Sequence, residues 1–290
     1  MKIGLQLPEV EREVRWPEIV ELARVAEEGG FDSLWVGDHL LYRSPARGPW
    51  EAWSVLAALA AVTSRVTLGP LVACLGFHNP AVLAKQAATV QEISGGRLVF
   101  GVGAGWNRDE FDAFGVPFDH RVERFDEAFT IVRRLLRDGE VSFSGRFHSV
   151  QDCVLLPRPA SVPPFMLGSM GPRMLALALP FVEIHHAWFA WFSNTVDGLR
   201  ELQGRVDEAC GLVGRDPATL QRSVALYVQL PGGGGRQTPH EESRDITPIP
   251  LDALGDVLAA VEATGVTDVQ VVLDPITVES IAATAAVIAR

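Results

Sequence analysis

The stretch WVGDHLL places a carboxylate and an imidazole side by side, Asp38 and His39, directly after an apolar run. A neutral imidazole can take a proton from a hydroxyl near neutral pH, and an adjacent carboxylate can set its tautomer or raise its pKa. The pair is the first candidate for acid–base work, although a plain surface Asp-His turn has the same composition. A second stretch, GVGAGWNRDEF at residues 101–111, opens with glycines at alternate positions. A dinucleotide fingerprint needs a further glycine at the start of a helix and an acidic residue ending the next strand. Position 106 is instead Trp, and the polar run NRDEFDAFGVP follows. Gly101, Gly103 and Gly105 share one side of a strand, where missing side chains let a flat ring or neighbouring backbone come close. A third stretch, LGSMGPRM at residues 167–174, sets Gly168, Ser169 and Gly171 ahead of a helix beginning near Pro172. Free backbone N–H groups there could hold a phosphate, with Arg173 adding charge, though a strand-to-helix turn needs small residues in any case.

Other reactive residues form weaker patterns. His185 and His186 are neighbours on a predicted strand, so they point to opposite faces and cannot both reach one metal; no metal site is expected. Cys74 and His78 lie near the end of the third predicted strand, but nothing in the sequence lowers the thiol pKa, and Cys74 reads as buried filler. Trp188, Phe189, Trp191 and Phe192 either complete a core or line an apolar pocket, with core the preferred reading. A metal-dependent hydrolase or an aldolase needs a ligand cluster or a Schiff-base lysine. The lysines are Lys2, at the start of the first strand, and Lys85, within the third helix.

The elements that must position these residues alternate regularly. Short β-rich runs are followed by segments of helical period: KIGLQL then residues 17–28, FDSLWVGD then 50–62, RVTLGPLV then 80–93, RLVFGVG then 120–137. The rhythm continues with PPFMLG then 172–179, VEIHHAWF then 195–212, SVALYVQL then 251–263, and DVQVVL then 278–289. In HRVERFDEAFTIVRRLLRD the apolar Val122, Phe125, Phe129, Val132 and Leu136 fall on one face, with acids early and arginines late as the helix dipole favours. Asn79 and Pro80 supply an N-cap and a first helical residue. Eight β–α units with near-continuous apolar strands predict an α/β fold, a (β/α)₈ TIM barrel formed by a single domain over residues 1–290. Two segments stand outside the repeat: residues 140–150 read as an inserted β-hairpin, and residues 231–250, rich in Gly and Pro, as a mobile loop after strand seven. Active sites of such barrels form where the strands end, which puts Asp38, His39, residues 103–106 and residues 168–173 on one rim.

Composition narrows the class. The formal charge of −11 with no basic cluster argues against a nucleic-acid partner. Three cysteines without a C-x-x-C pair fit a reducing cytoplasm rather than a disulfide framework. The N-terminus MKIGLQLP has no signal-peptide pattern, and the apolar runs are too broken to span a bilayer, so a cytoplasmic protein without a membrane partner is expected.

Taken together, GDHLL, the stretch from LGPLVACLGFHNP through GVGAGWNRDEFDAFGVPFDHRVERFDEA, and PPFMLGSMGPRM resemble the bacterial luciferase-like superfamily of flavin and deazaflavin oxidoreductases. The resemblance covers residues 1 to about 175; beyond 180, VEIHHAWFAWF replaces the small-residue strand ending usual in the family. It implies a (β/α)₈ barrel with an insertion, usually a homodimer. It also implies coenzyme F420 or FMN in the barrel mouth, the phosphate near Gly168, Ser169 and Met170, and the ring near Gly103, Gly105 and Trp106. LGPLV matches the stretch where relatives carry a non-prolyl cis peptide, here between Leu71 and Val72, buttressing one face of the ring. His39 matches the histidine that exchanges a proton as hydride moves to or from the deazaflavin. The expected function is thus F420-dependent hydride transfer to or from a small organic substrate. The alternatives are an FMNH2-dependent monooxygenase using O2 and a non-catalytic flavin-binding homologue. The acidic residue that the sugar-phosphate dehydrogenases of the family place after the glycine run is Trp106 here, so their substrate does not transfer.

Overall fold

The computed structural model describes residues 1–43, 46–234 and 246–289. The alternating segments form the parallel barrel the sequence predicts, with strands β1 (Lys2–Gln6), β2 (Ser33–Val36), β3 (Thr67–Pro70), β4 (Phe100–Gly103), β5 (Phe165–Leu167), β6 (Ile184–Ala187), β7 (Gln221–Gln229) and β8 (Asp268–Asp274). Around them lie α1 (Trp16–Glu28), α2 (Ala52–Val62), α3 (Pro80–Ile93), α4 (Arg108–Phe114), α5 (Arg121–Asp138), α6 (Pro172–Ala178), α7 (Val196–Leu212), α8 (Leu254–Glu262) and α9 (Val278–Ile288). Neighbouring strands run in the order β3, β2, β1, β8, β7, β6, β5, β4, and a continuation of the third strand, Ala73–Cys74, then pairs with β4. Closure follows because β3 also bridges the entry to β4, Leu68 opposite Leu98. The third strand is broken between its two halves, and the Leu71–Val72 peptide there is cis.

Alternation along the strands creates two cores. Outward residues such as Leu5, Leu34, Leu68, Phe100 and Val271 pack under the helices in one large apolar layer. The inner core is smaller: Trp35, Leu71, Met166 and Ile184 plug the barrel below its mouth. One indole does much of the filling, because a Cβ on Gly69 would lie 2.6 Å from Trp35 Cζ3 and one on Gly4 would lie 2.8 Å from Trp35 Nε1. Glycine at both positions is what lets so large a side chain stay inside a ring of eight strands.

The helices follow from their sequences. On α5, Phe125, Phe129, Val132 and Leu136 are buried, while Val122 sits nearer the mouth and lines the cavity described below. Asn79 Oδ1 accepts from Ala81 N and Val82 N at 3.1 and 3.2 Å, and Pro80 starts α3. The hairpin expected at residues 140–150 is present and longer, Glu140–Ser144 paired with Ser149–Val154. Its turn is anchored by the Glu127 carboxylate, which accepts from the backbone N–H groups of Arg146, Phe147 and His148. Most of the segment expected as a mobile loop, 235–245, lies outside the described residues; at its end Ile249–Pro250 forms a short parallel pairing with β7. Two features depart from the sequence reading. The polar run after the glycine strand contains a helix, α4, and a two-residue antiparallel ribbon, Tyr42–Arg43 with Ala46–Arg47, follows β2. No helix among the described residues is long and apolar enough to cross a membrane.

Candidate active site

The residues that follow the strand ends enclose a cavity of about 390 Å³, a size suited to a small-molecule ligand. Asp38 and His39 line it from β2, residues 71–74 from the broken third strand, residues 103–107 from β4, Gly168 and Ser169 from β5, and His186, Trp188 and Trp191 from β6.

His39 is the most constrained polar group on this wall. Its Nδ1–H donates to Glu110 Oε1 at 2.7 Å, and on the other side Nε2 lies 3.4 Å from Glu9 Oε1 and 3.2 Å from the Tyr42 hydroxyl. Glu110 is fully buried on α4, and its carboxylate also accepts from Leu40 N at 2.8 Å and from Asn107 Nδ2 at 2.5 Å. Glu9, in the turn after β1, is 5% exposed and accepts from Gln6 Nε2 at 2.5 Å. Gly37 makes room for it, since a Cβ there would meet the Glu9 carboxyl at 2.3 Å. Burial works against charge on His39. The nearby Glu9 carboxylate, the hydrogen bond and charge of Glu110, and the more distant Asp38 outweigh it and lift the imidazole from 6.5 to about 9. The ring is therefore an imidazolium clamped between two carboxylates at neutral pH. The rings of Tyr42 and Trp106 stand 5.0 and 5.7 Å from it.

Of the two roles expected for Asp38, setting the His39 tautomer and raising its pKa, the first falls to Glu110 and Asp38 keeps a smaller part in the second. Consecutive residues leaving a strand point apart, so the Asp38 carboxylate turns toward the third strand. There it accepts from Cys74 N and from His78 Nε2, both at 2.8 Å, and it reaches His39 only through its field. Burial opposes charge on His78, yet the hydrogen bond to Asp38 raises its pKa overall. Cys74 is indeed buried, and burial pushes its thiol up, away from nucleophilic use.

The glycines leave room for neighbouring chain: a Cβ on Gly101 would lie 2.3 Å from the Pro70 carbonyl oxygen. Added Cβ atoms on Gly103 and Gly168 would each come within 2.8 Å of a Val72 methyl, and one on Gly105, whose φ is +74°, within 2.4 Å of Cys74 Sγ. They let the third strand's side chains press into the mouth, and Val72 becomes part of the cavity wall. Leu71, Val72, Gly103, Gly105, Trp106, Gly168 and Ser169 are all brought to this one cavity. Met170 and Arg173 are not among its lining residues. Met170 packs against the outer core, and Arg173 faces solvent with its guanidinium 3.1 Å from Glu123. The aromatic cluster divides: Phe189 and Phe192 are buried in the outer core, while Trp188 and Trp191 line the cavity.

Glu9, Tyr42, Asn107 and Glu110 escaped the sequence reading. A signal existed for two of them. Glu9 follows β1 and Glu110 follows β4, and acids just past barrel strand ends belong to the mouth.

A parallel barrel with a buried imidazole–carboxylate cluster at its C-terminal mouth and a cis peptide in its third strand defines a class. The chain matches the luciferase-like monooxygenase family over residues 2–231, and it belongs to that family. It is 33% identical over 178 residues to the 5,10-methylenetetrahydromethanopterin reductase of Archaeoglobus fulgidus, covering 61% of this chain and 50% of that protein. It is 35% identical over 162 residues to the F420-dependent glucose-6-phosphate dehydrogenase of Amycolatopsis mediterranei, covering 53% and 48% respectively. The chain thus spans about half the length of these curated relatives. Among solved structures, an F420-dependent secondary alcohol dehydrogenase in complex with an F420-acetone adduct superposes with a TM-score of 0.82 at 20% identity, over 99% of this chain and 97% of that one. A monooxygenase from Streptomyces bottropensis superposes with a TM-score of 0.79 at 22% identity, over 100% and 98%. At such identities these two likenesses speak for the fold.

Proposed function

We propose that this protein is a coenzyme F420-dependent oxidoreductase that moves a hydride between the deazaflavin and a small organic substrate, with His39 handling the accompanying proton. The observation that carries the proposal is the placing of His39 between the Glu110 and Glu9 carboxylates at the mouth of the barrel. The F420-dependent sequence relatives support the choice of cofactor.

The residues present fit such a group. The cavity is broad enough for a ligand-sized ring system, and Leu71, Val72 and Ala73 give it an apolar wall beside the polar edge of Asp38. Leu71, Val72, Gly103, Gly105, Trp106, Gly168 and Ser169 would hold the cofactor. When bound, a deazaflavin supplies the site that gives or takes the hydride. The chain does the rest. Glu110 fixes the His39 ring through Nδ1, and Nε2, beside Glu9 and the Tyr42 hydroxyl, is the nitrogen that exchanges a proton with the substrate oxygen. Because the two carboxylates favour the charged ring, His39 is a proton donor at neutral pH and serves reduction of a carbonyl or similar group. Oxidation of an alcohol needs the neutral ring and gains as pH rises toward about 9.

A rival reading, an FMNH2-dependent monooxygenase, draws on the family to which the chain belongs. Such an enzyme must shield a reactive oxygen adduct from water and has less use for a strong proton donor at the mouth. Spectral titration of the purified protein with F420 and with FMN, followed by oxygen-uptake measurement, separates them. Preferential F420 binding and substrate conversion without oxygen uptake are expected. FMN preference with uptake coupled to turnover would establish the rival, and tight binding without turnover across alcohols, imines and activated alkenes would establish a non-catalytic binder.

A further inference from the structure

The segment VEIHHAWF, where the family resemblance fades, places two histidines on β6 with opposite duties. His185 turns outward, and its Nε2–H donates to the Ser169 carbonyl at 3.0 Å, steadying the turn after β5. His186 turns inward, 2% exposed, and lines the cavity. Its protonation pattern can be read from its neighbours. Ser223 Oγ–H donates to Gln270 Oε1 at 2.8 Å. A serine hydroxyl has a single hydrogen, so toward His186 Nδ1, 3.0 Å away, Ser223 Oγ can only accept. His186 therefore carries its proton on Nδ1, and Nε2 is a bare lone pair. Burial, reinforced by His185 and only partly offset by Gln270, holds the ring neutral, with its pKa near 3. Among the described residues that buried Nε2 has no hydrogen-bond partner. Buried acceptors are almost always satisfied, so one left open in the wall of a ligand cavity points to a donor that arrives with the ligand.

The charges around the cavity narrow what that ligand can be. His39 is held by Glu110 and Glu9, His78 by Asp38, and Arg121 donates to Gly105 O at 2.5 Å while lying 4.1 Å over the Phe118 ring. Of these, His39 and Arg121 line the cavity, and each is already paired, His39 with two carboxylates and Arg121 with a backbone carbonyl. Trp188 and Trp191, beyond His186 on the same strand end, add apolar surface.

We propose that His186 Nε2 accepts a hydrogen bond from a hydroxyl or amide N–H of the bound substrate, so that the cavity selects a neutral, donor-bearing molecule over a carboxylate or phosphate ester. The proposal deepens the oxidoreductase reading and rests on its placing substrate in this cavity. The cofactor's own ring N–H is the competing donor, and the experiment separates the two.

The test is ¹⁵N NMR of histidine-labelled protein, with His186 assigned by comparison with His186→Gln. Spectra are recorded alone, with oxidised F420, and with F420 plus panels of small alcohols and amides or of matching carboxylates and phosphate esters. The expected result is a neutral ring protonated on Nδ1, with an Nε2 signal that moves upfield for neutral donors only. In His186→Leu the dissociation constants of those donors should weaken about tenfold, the worth of one hydrogen bond, with F420 affinity within about twofold; His186→Gln should retain part of the preference and serves if the leucine variant does not fold. A proton on Nε2, an Nε2 signal that moves with F420 and no further, equal binding of the anionic panel, or no response to any neutral donor would each overturn the proposal. The F420 titration is read separately by deazaflavin absorbance, so failure of the cofactor reading is distinguishable from failure at His186.

Discussion

Replacing Glu110 by Gln tests the clamp on His39 most directly. The carboxylate is 2.7 Å from Nδ1 and fully buried, and its partners Leu40 N and Asn107 Nδ2 hold it in place. Glutamine keeps the shape and one acceptor but removes the charge, and its amide N–H₂ faces groups that are themselves donors. The lift of His39 from 6.5 to about 9 arises chiefly from Glu9 and Glu110 acting against burial. Removing one such partner shifts a pKa by roughly 1–2 units, which brings His39 into the range of about 7–8. At pH 8 the wild-type ring is then roughly nine-tenths protonated and the variant about half or less. The assay is an NMR titration of the imidazole without cofactor, paired with the pH profile of kcat/KM for reduction. The falling limb of that profile should move from near 9 to below 8. The same shift carries a stability consequence with a definite sign. A raised pKa stabilises the fold fully below about 6.5 and loses that contribution as pH rises through about 9, an effect of about 3 kcal/mol in the wild type. The variant should show a smaller alkaline loss in urea midpoint. A wild-type midpoint near 6.5, or a limb that stays in place in Glu110→Gln, would refute the argument.

Three further outcomes follow from the geometry. His39→Ala should lower kcat for hydride transfer by about 10²–10⁴ while F420 affinity, read by absorbance titration, stays nearly intact; unchanged turnover would remove His39 from the chemistry. Gly105→Ala forces a methyl against Cys74 Sγ and Phe111 at a φ of +74°, and a cost of about 1–3 kcal/mol in chemical denaturation is expected. Trp35→Ala empties the centre of the inner barrel core and should cost about 3–5 kcal/mol by the same measurement; a loss below 1 kcal/mol would mean that the plug is not a shared support of the strands.

Much of this fold is local in origin. The β-branched runs, the Asn79–Pro80 helix start and the amphipathic face of α5 are written in short stretches of chain, and eight repeats of one unit leave few ways to bury both strand faces. The positions of Asp38, His39 and residues 103–106 on the mouth follow once strand ends are known. The cis peptide at Leu71–Val72 was recognisable by likeness to relatives, as local preference alone disfavours it.

Tertiary structure alone decided who partners whom. His39 lies 71 positions from Glu110 and pairs with it, while its covalent neighbour Asp38 serves Cys74 and His78. Adjacent side chains diverge at a strand end, and barrel closure brings the turn after β4 against the turn after β2. Closure likewise fixes the tautomer of His186, through a serine on β7 and a glutamine on β8. Periodicity of apolar residues specifies which face is buried, and so the sequence determines the barrel and its working rim. Hydrogen bonds and charge at the mouth depend on distances of a few ångströms between segments far apart in the chain, and only the folded ring of strands sets those.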